Sequence, residues 1–113
     1  MSRHSNVRSL NTIRTNSLIK LPIKLNSVSI TALLDSGSQS NYISSRAVQR
    51  AGLQLQQKKD LYLLHVANRE PMPQELEITH KVSSVPITLS KHYKDIDLDV
   101  FRIATHNIIL GLP

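Results

Sequence analysis

The apolar residues of this chain come in short runs with a period of two, and that spacing predicts strands. Over residues 17–25, Ile19, Leu21, Ile23 and Leu25 share one side and Lys20 and Lys24 the other. Pro22 cannot donate to a ladder, which predicts an edge position for this strand. Asn26-Ser27 interrupts the run as a two-residue turn, and residues 28–34 form the return strand. Ser44-Ser45 predicts the cap of a short helix through Ala51, and Gly52 predicts its stop. Residues 54–59 read as a polar connector, 60–66 as a strand and 68–71 as a turn. Residues 74–82 then return, with Leu76, Ile78 and His80 alternating against Glu75, Glu77 and Thr79. Residues 85–89 read as a further strand, with Pro86 again marking an edge, and 91–95 as a loop. Residues 96–103 alternate Ile96, Leu98 and Val100 against the acids Asp97 and Asp99, a line of carboxyls that begins at Asp95. Residues 1–16 are rich in Ser, Asn, Arg and Thr without periodicity and read as a flexible basic leader.

Composition narrows this picture. At 113 residues the chain makes one all-β domain, over 17–113, behind the leader. Apolar residues are 40% and aromatics only 4%, a thin core for so small a β domain, so a partner chain is expected to complete the burial. With no cysteine there is neither a disulfide nor a thiolate metal site, in keeping with an intracellular location. No run approaches the roughly 18 apolar residues of a membrane helix, and no apolar segment near Arg3 and His4 makes a secretory signal. The fourteen basic residues that give a net charge of +6 are scattered. They predict a solvated basic surface with at most a weak, non-specific pull toward nucleic acid.

Candidate chemistry concentrates at one place. Among eight acidic residues, only Asp35 ends an apolar strand, Ala32-Leu33-Leu34, and stands beside a glycine turn, Ser36-Gly37-Ser38. A carboxylate at the end of a buried strand is costly to ionise without partners. Gly37 frees the backbone to bend or to let another chain approach, and Ser36 offers a hydroxyl that both donates and accepts. Taken alone, Asp-Ser-Gly is an ordinary turn triplet. A second apolar-to-glycine junction, Ile108-Ile109-Leu110-Gly111, changes the weighting; it ends 76 positions after Asp35.

Together these two stretches resemble the retropepsin-like aspartic peptidases of retroviruses and LTR retrotransposons. That family shows two hydrophobic residues before Asp-Ser/Thr-Gly-Ala/Ser and a later Ile-Leu-Gly block. Residues 32–42 and 107–113 look most like the Ty3/gypsy-type branch, and the resemblance extends over roughly 17–113. It implies an all-β retropepsin-like half-barrel with one short helix, acting as a homodimer on a polypeptide substrate without a cofactor or metal. It further implies an element of a retrotransposon polyprotein, in the cytoplasm or a virus-like particle. By resemblance Asp35 is catalytic, Ser36, Gly37 and Ser38 support its loop, and Ile109, Leu110 and Gly111 pack beneath it. A substrate-covering flap falls over residues 67–73, with Ala67, Asn68 and Arg69 contacting substrate; relatives often carry glycine at the position of Arg69. Relatives also continue past the position of Pro113 into interface strands, so a longer chain is expected.

The dimer has a chemical reason. Peptide hydrolysis by acid–base catalysis needs one group to take a proton from water and another to give one to the carbonyl oxygen. Two carboxyls at contact cannot both ionise, so one keeps its proton; the aspartic proteases are the best-known case of this division. A chain with one such Asp obtains the pair from a second copy across a two-fold axis. The alternative reading is a catalytically inactive dimerisation or peptide-binding module of the same fold. Competing chemistries fit the residues poorly. Ser38 lacks the glycine frame of a nucleophile elbow, the histidines are never spaced as a zinc pair, and Asp95, Asp97 and Asp99 lie along a line rather than around an ion. Tyr42 and Tyr62 read as core, and His65 and His80, within strand patterns, as residues at the core's edge or on the surface.

Overall fold

The computed structural model describes residues 7–10, 19–35, 40–66, 74–102 and 107–111. They form β1 (Val7–Leu10), β2 (Ile19–Leu25), β3 (Val28–Asp35), β4 (Tyr42–Ser44), α1 (Ser45–Ala51), β5 (Gln56–Val66), β6 (Gln74–Leu89), β7 (His92–Phe101) and β8 (Ile108–Gly111). The strand order is β1-β5-β6-β2-β3-β8-β4-β7, and β6 also pairs with β7. That second pairing closes a ring of six strands, from β6 round to β7, and leaves β5 and β1 extending outside it. Four residues of the leader therefore take part in the sheet, paired in parallel with β5.

Asn26 and Ser27 turn β2 into β3 with φ of 49° and 71°, the pair of positive angles that matches strand twist in a two-residue hairpin. The turn is anchored by Asn26, whose amide donates to the Pro86 carbonyl at 3.1 Å and whose side-chain Nδ2 donates to the Ala51 carbonyl at 2.9 Å. Helix α1 starts and stops where its capping residues dictate. Ser44 Oγ accepts from the Ala47 amide at 3.1 Å, and Gly52 adopts φ 66° at the C-cap. Pro22 pairs with Thr31 on one side, while β6 reaches only Lys24 and Leu25 on the other, so among the described residues no strand pairs with the proline's second side. Burial along β2 fades outward: Ile23 and Leu25 are buried, Leu21 is half-buried, and Ile19 is exposed.

Four expectations are corrected. The connector over 54–59 is already β5 from Gln56 onward, pairing Gln56 with Lys81 and Gln57 with His80. Its residues are mostly exposed, so no apolar alternation marks them. The separate strands over 74–82 and 85–89 are one strand, β6, with an irregularity between Val82 and Val85. There Ser84 takes φ 53° and its amide donates to Asp97 Oδ1 at 2.8 Å, so a bulge rather than a loop breaks the period. The loop over 91–95 is instead the start of β7 at His92, after a tight turn with Ser90 at φ 58°. Pro86 is at an edge only toward β2, whose pairing stops at Ile87; on its other side it pairs with Asp95 of β7.

Two apolar clusters result. The larger fills the ring and is aliphatic, built on Ile23, Leu25, Ile30, Ile43, Val82, Leu98 and Ile108, with Ala47 and Val48 of α1 against it. The smaller joins Leu33, Tyr42, Tyr62, Leu64, Ile78, Phe101 and Ile109. Among the described residues no helix is long and apolar enough to cross a membrane.

Candidate active site

Strand β3 carries Asp35 as its last residue. β8 lies beside it in parallel register, pairing Leu33 with Ile109, Leu34 with Leu110 and Asp35 with Gly111. The two apolar-to-glycine junctions read from the sequence thus stand side by side. Their apolar residues are rigidly held: Leu33, Ile109 and Leu110 are buried, while Asp35 is half-buried. Residues two apart on a strand face the same way. Asp35 therefore shares its face of β3 with Leu33 of the smaller cluster, and Leu110 faces the ring interior instead. Ile109, Leu110 and Gly111 thus lie in register beside Leu33, Leu34 and Asp35.

Six residues after Asp35, Asn41 ties the chain to two strands. Its Oδ1 accepts from the Gly111 amide at 2.9 Å, and its carbonyl accepts from the Asp99 amide at 2.9 Å. One residue thereby links the chain leaving Asp35 both to the strand paired with Asp35 and to β7. The Ser44 amide adds a bond to the Asn107 carbonyl at 2.8 Å, closing β4 against the segment that leads into β8. Nothing in the sequence marked Asn41, because an Asn at the end of a polar turn is common and its partner lies 70 positions away. Ser36, Gly37 and Ser38 lie outside the described residues, as do the flap positions Ala67, Asn68 and Arg69.

Beside this floor runs a partly buried polar chain. Tyr62 Oη donates to Asp99 Oδ2 at 2.5 Å. Its single proton is thereby used, so the Tyr42 hydroxyl, 3.1 Å away, supplies the proton of the second bond. Lys58 Nζ completes the set at 3.1 Å from Asp99 Oδ1, with the two side chains only 18% and 12% exposed, and it lies 5.8 Å from the centre of the Tyr62 ring. Burial, then the hydrogen bond to Asp99, raises the Tyr62 pKa well above the ordinary phenol value of 10.0, so this hydroxyl stays protonated. Tyr42 and Tyr62 are core residues as expected, with Phe101 packed on Tyr42 at 5.9 Å between ring centres. Asp99, by contrast, is not the solvated acid that strand alternation predicts. Strand β7 turns it toward β5, where an ammonium and a phenol neutralise and solvate it. Asp97 accepts from the Ser84 amide instead. Asp97 and Asp99 therefore have different partners. His65 and His80 are half-buried strand residues; His80 lines an open groove of about 470 Å³ together with Leu76, Glu77 and Phe101, its Nδ1 2.8 Å from Thr79 Oγ1.

Comparison with known proteins adds the family. The sequence model of the PEG10/RTL1 protease domain matches residues 31–113. No curated protein matches the chain by sequence. Among solved structures, the protease of EIAV in complex with the inhibitor HBY-793 is similar with a TM-score of 0.62 at 16% identity, over 88% of this chain and 86% of that one. The retroviral protease-like domain of Ddi1 from Leishmania major gives a TM-score of 0.61 at 20% identity, over 84% and 72%. A retropepsin-like aspartic protease from Rickettsia conorii gives 0.52 at 13% identity, over 88% and 68%. At these identities the structures speak for the fold, which is retropepsin-like.

Proposed function

The chain belongs to the PEG10/RTL1 protease domain family, and from that premise we propose that it is an aspartic endopeptidase whose active unit is a homodimer. The observation that carries this reading is the register of Asp35 with Gly111 at the ends of two buried parallel strands, with Asn41 bonded to Gly111. That arrangement holds one carboxyl on a rigid floor, ready to meet its twin from a second copy. The paired Asp35 carboxyls share one proton. The ionised one takes a proton from the attacking water, and the protonated one gives its proton to the scissile carbonyl oxygen. The pair then titrates as a unit, so its apparent pKa values belong to neither residue alone. The Ser36 hydroxyls hold the two loops in register, and Gly37 lets them approach. The substrate is an extended polypeptide under the flap at Ala67, Asn68 and Arg69, in the setting of a Ty3/gypsy-type retrotransposon polyprotein.

The test is cleavage of a peptide library by the chain and by its Asp35→Asn variant across acidic to neutral pH, with sedimentation to follow dimer formation. The expected result is cleavage with a bell-shaped profile that rises with dimer concentration and vanishes in the variant. Equal rates in both proteins would remove the peptidase reading. A second reading, a non-catalytic retropepsin-fold module that binds peptides, draws support from the extended segment Val7–Leu10 lying along β5.

A further inference from the structure

The strand β5 would be the outer edge of the sheet at residues 63–66 if nothing lay against it, since β6 occupies only its other side. An open strand edge is a template for another extended chain. Here that template is filled by the chain's own segment: Val7 pairs with Leu63, Arg8 with Leu64, Ser9 with His65 and Leu10 with Val66, all in parallel. This edge is not remote from Asp35. Tyr62 and Leu64 of β5 pack into the same cluster as Leu33 and Ile109, and Leu33 shares its face of β3 with Asp35. The arm formed by β5 and β6 thus covers the side of the floor toward which Asp35 faces. An extended polypeptide entering there can pair with the edge at 63–66.

We propose that residues 63–66 of β5 form a peptide-accepting edge and that Val7–Leu10 occupies it in cis, as an internal competitor for an extended polypeptide. The inference deepens the functional reading above and rests on it for the identity of the polypeptide as substrate, while the competition itself is a matter of binding. Only residues 11–18 tether β1 to β2. A tether this short gives an effective concentration on the order of millimolar. If the segment binds in trans with a dissociation constant near 100 μM, the tethered copy holds the edge closed about ten to one. Releasing it therefore tightens binding of a free peptide by about tenfold.

The experiment uses the full chain carrying Asp35→Asn, so that nothing is cleaved, and a fluorescein-labelled synthetic peptide of residues 5–12 as the probe. The test variant adds Arg8→Pro and Ser9→Pro. Neighbouring residues of a strand alternate in the direction of their amides, so the pair removes a ladder donor whichever of the two faces β5. Anisotropy is expected to show binding about tenfold tighter in the proline variant. Hydrogen exchange at the amides of residues 63–66 is expected to be faster in that variant without peptide and to slow again when peptide is added. Equal affinity in the two proteins, absence of binding in both, or unchanged exchange at 63–66 would each overturn the inference. The same comparison with Asp35 restored separates the two ideas. A binding shift without any cleavage would remove the peptidase and leave the internal competitor standing; cleavage at equal rates with and without the prolines would do the reverse.

Discussion

The aliphatic cluster inside the six-strand ring and the aromatic cluster on the Asp35 side bury their side chains by different physics. The first contains no hydroxyl and no charge on its buried residues, so its stability follows from area removed from water and from close packing. The second takes in Tyr42, Tyr62 and Phe101, which leaves Tyr93, 70% exposed, as the only other aromatic in the chain. Tyrosine brings a polar tip into the interior, and that tip needs a partner. Tyr62 finds Asp99, Asp99 finds Lys58, and a scaffold of directional bonds grows where the ring has only shape. The difference teaches where precision is kept: the ring makes the fold, while directional bonds tie β4, β5 and β7 together in the cluster that Leu33 of the Asp35 strand packs into.

Adjacent residues of β8 allow the comparison to be broken most severely. Ile108 belongs to the ring cluster and Ile109 to the aromatic one, and both are fully buried. Each change to alanine is expected to cost about 3–4 kcal/mol in urea unfolding, from lost transfer energy plus the cavity left behind. The two should separate in activity. On folded protein, Ile109→Ala is expected to lower kcat roughly tenfold by loosening the floor beside Asp35, and Ile108→Ala to leave it nearly intact. Equal losses of kcat would erase the distinction between the clusters.

Asp99→Ala comes next. It strands the Lys58 ammonium and the Tyr62 hydroxyl in a site where their mutual acceptor was. Removing one member of a fully buried pair costs more, but both side chains keep some solvent, so a loss of about 2–3 kcal/mol is expected. Leucine at the same position together with Lys58→Met is expected to recover much of that loss, because a matched apolar replacement leaves no orphaned charge.

Tyr62→Phe is gentler and carries a pH signature. At neutral pH it removes one hydroxyl and should cost about 1–2 kcal/mol. The Tyr62 pKa is raised in the folded protein above its unfolded value of 10.0, so the folded state holds this proton more tightly. Its contribution is complete below pH 10 and falls as pH climbs beyond it, by about 1.4 kcal/mol per pH unit. The stability gap between wild type and Tyr62→Phe should therefore be flat up to about pH 10 and shrink above it. A gap that stays constant to high pH would show that the hydroxyl is not the buried donor described.

These contrasts also explain which features could be read in advance. Asp35, its apolar approach and the block ending at Gly111 were legible because each is written in consecutive residues; the parallel register that pairs them across 76 positions was not. The helix was legible through Ser44 and Gly52, residues with one structural use at those positions. Features written across long separations were not. Asp99 sits in perfect alternation with Asp97, and only the approach of Lys58, 41 residues earlier, makes it an interior ion. The unity of β6 was hidden by phase: Val82 and Val85 are both buried at an odd spacing, and a period-two reading turns that into a break. The early part of β5 was hidden because a ladder of exposed residues has no hydrophobic period to betray it.

The smallest expected effect lies in the turn between β2 and β3, on the ring side of the comparison. There the polar anchor is Asn26, and a local backbone cost at its neighbour should register directly. Ser27 holds φ 71° with a β-carbon in place, a conformation that costs an L-residue about 1–2 kcal/mol. Glycine removes that cost but adds roughly 0.5–1 kcal/mol of chain entropy to the unfolded state. The difference leaves Ser27→Gly stabilised by about 0.5 kcal/mol, a shift of a few degrees in the thermal midpoint of a domain this size. Asn26 keeps its bonds to Pro86 and Ala51 in the variant, so the hairpin register is unchanged. The midpoint should rise without any change in the alkaline limb that Tyr62 controls. A variant that melts lower would mean that the Ser27 side chain stabilises the turn by more than its strained angle costs.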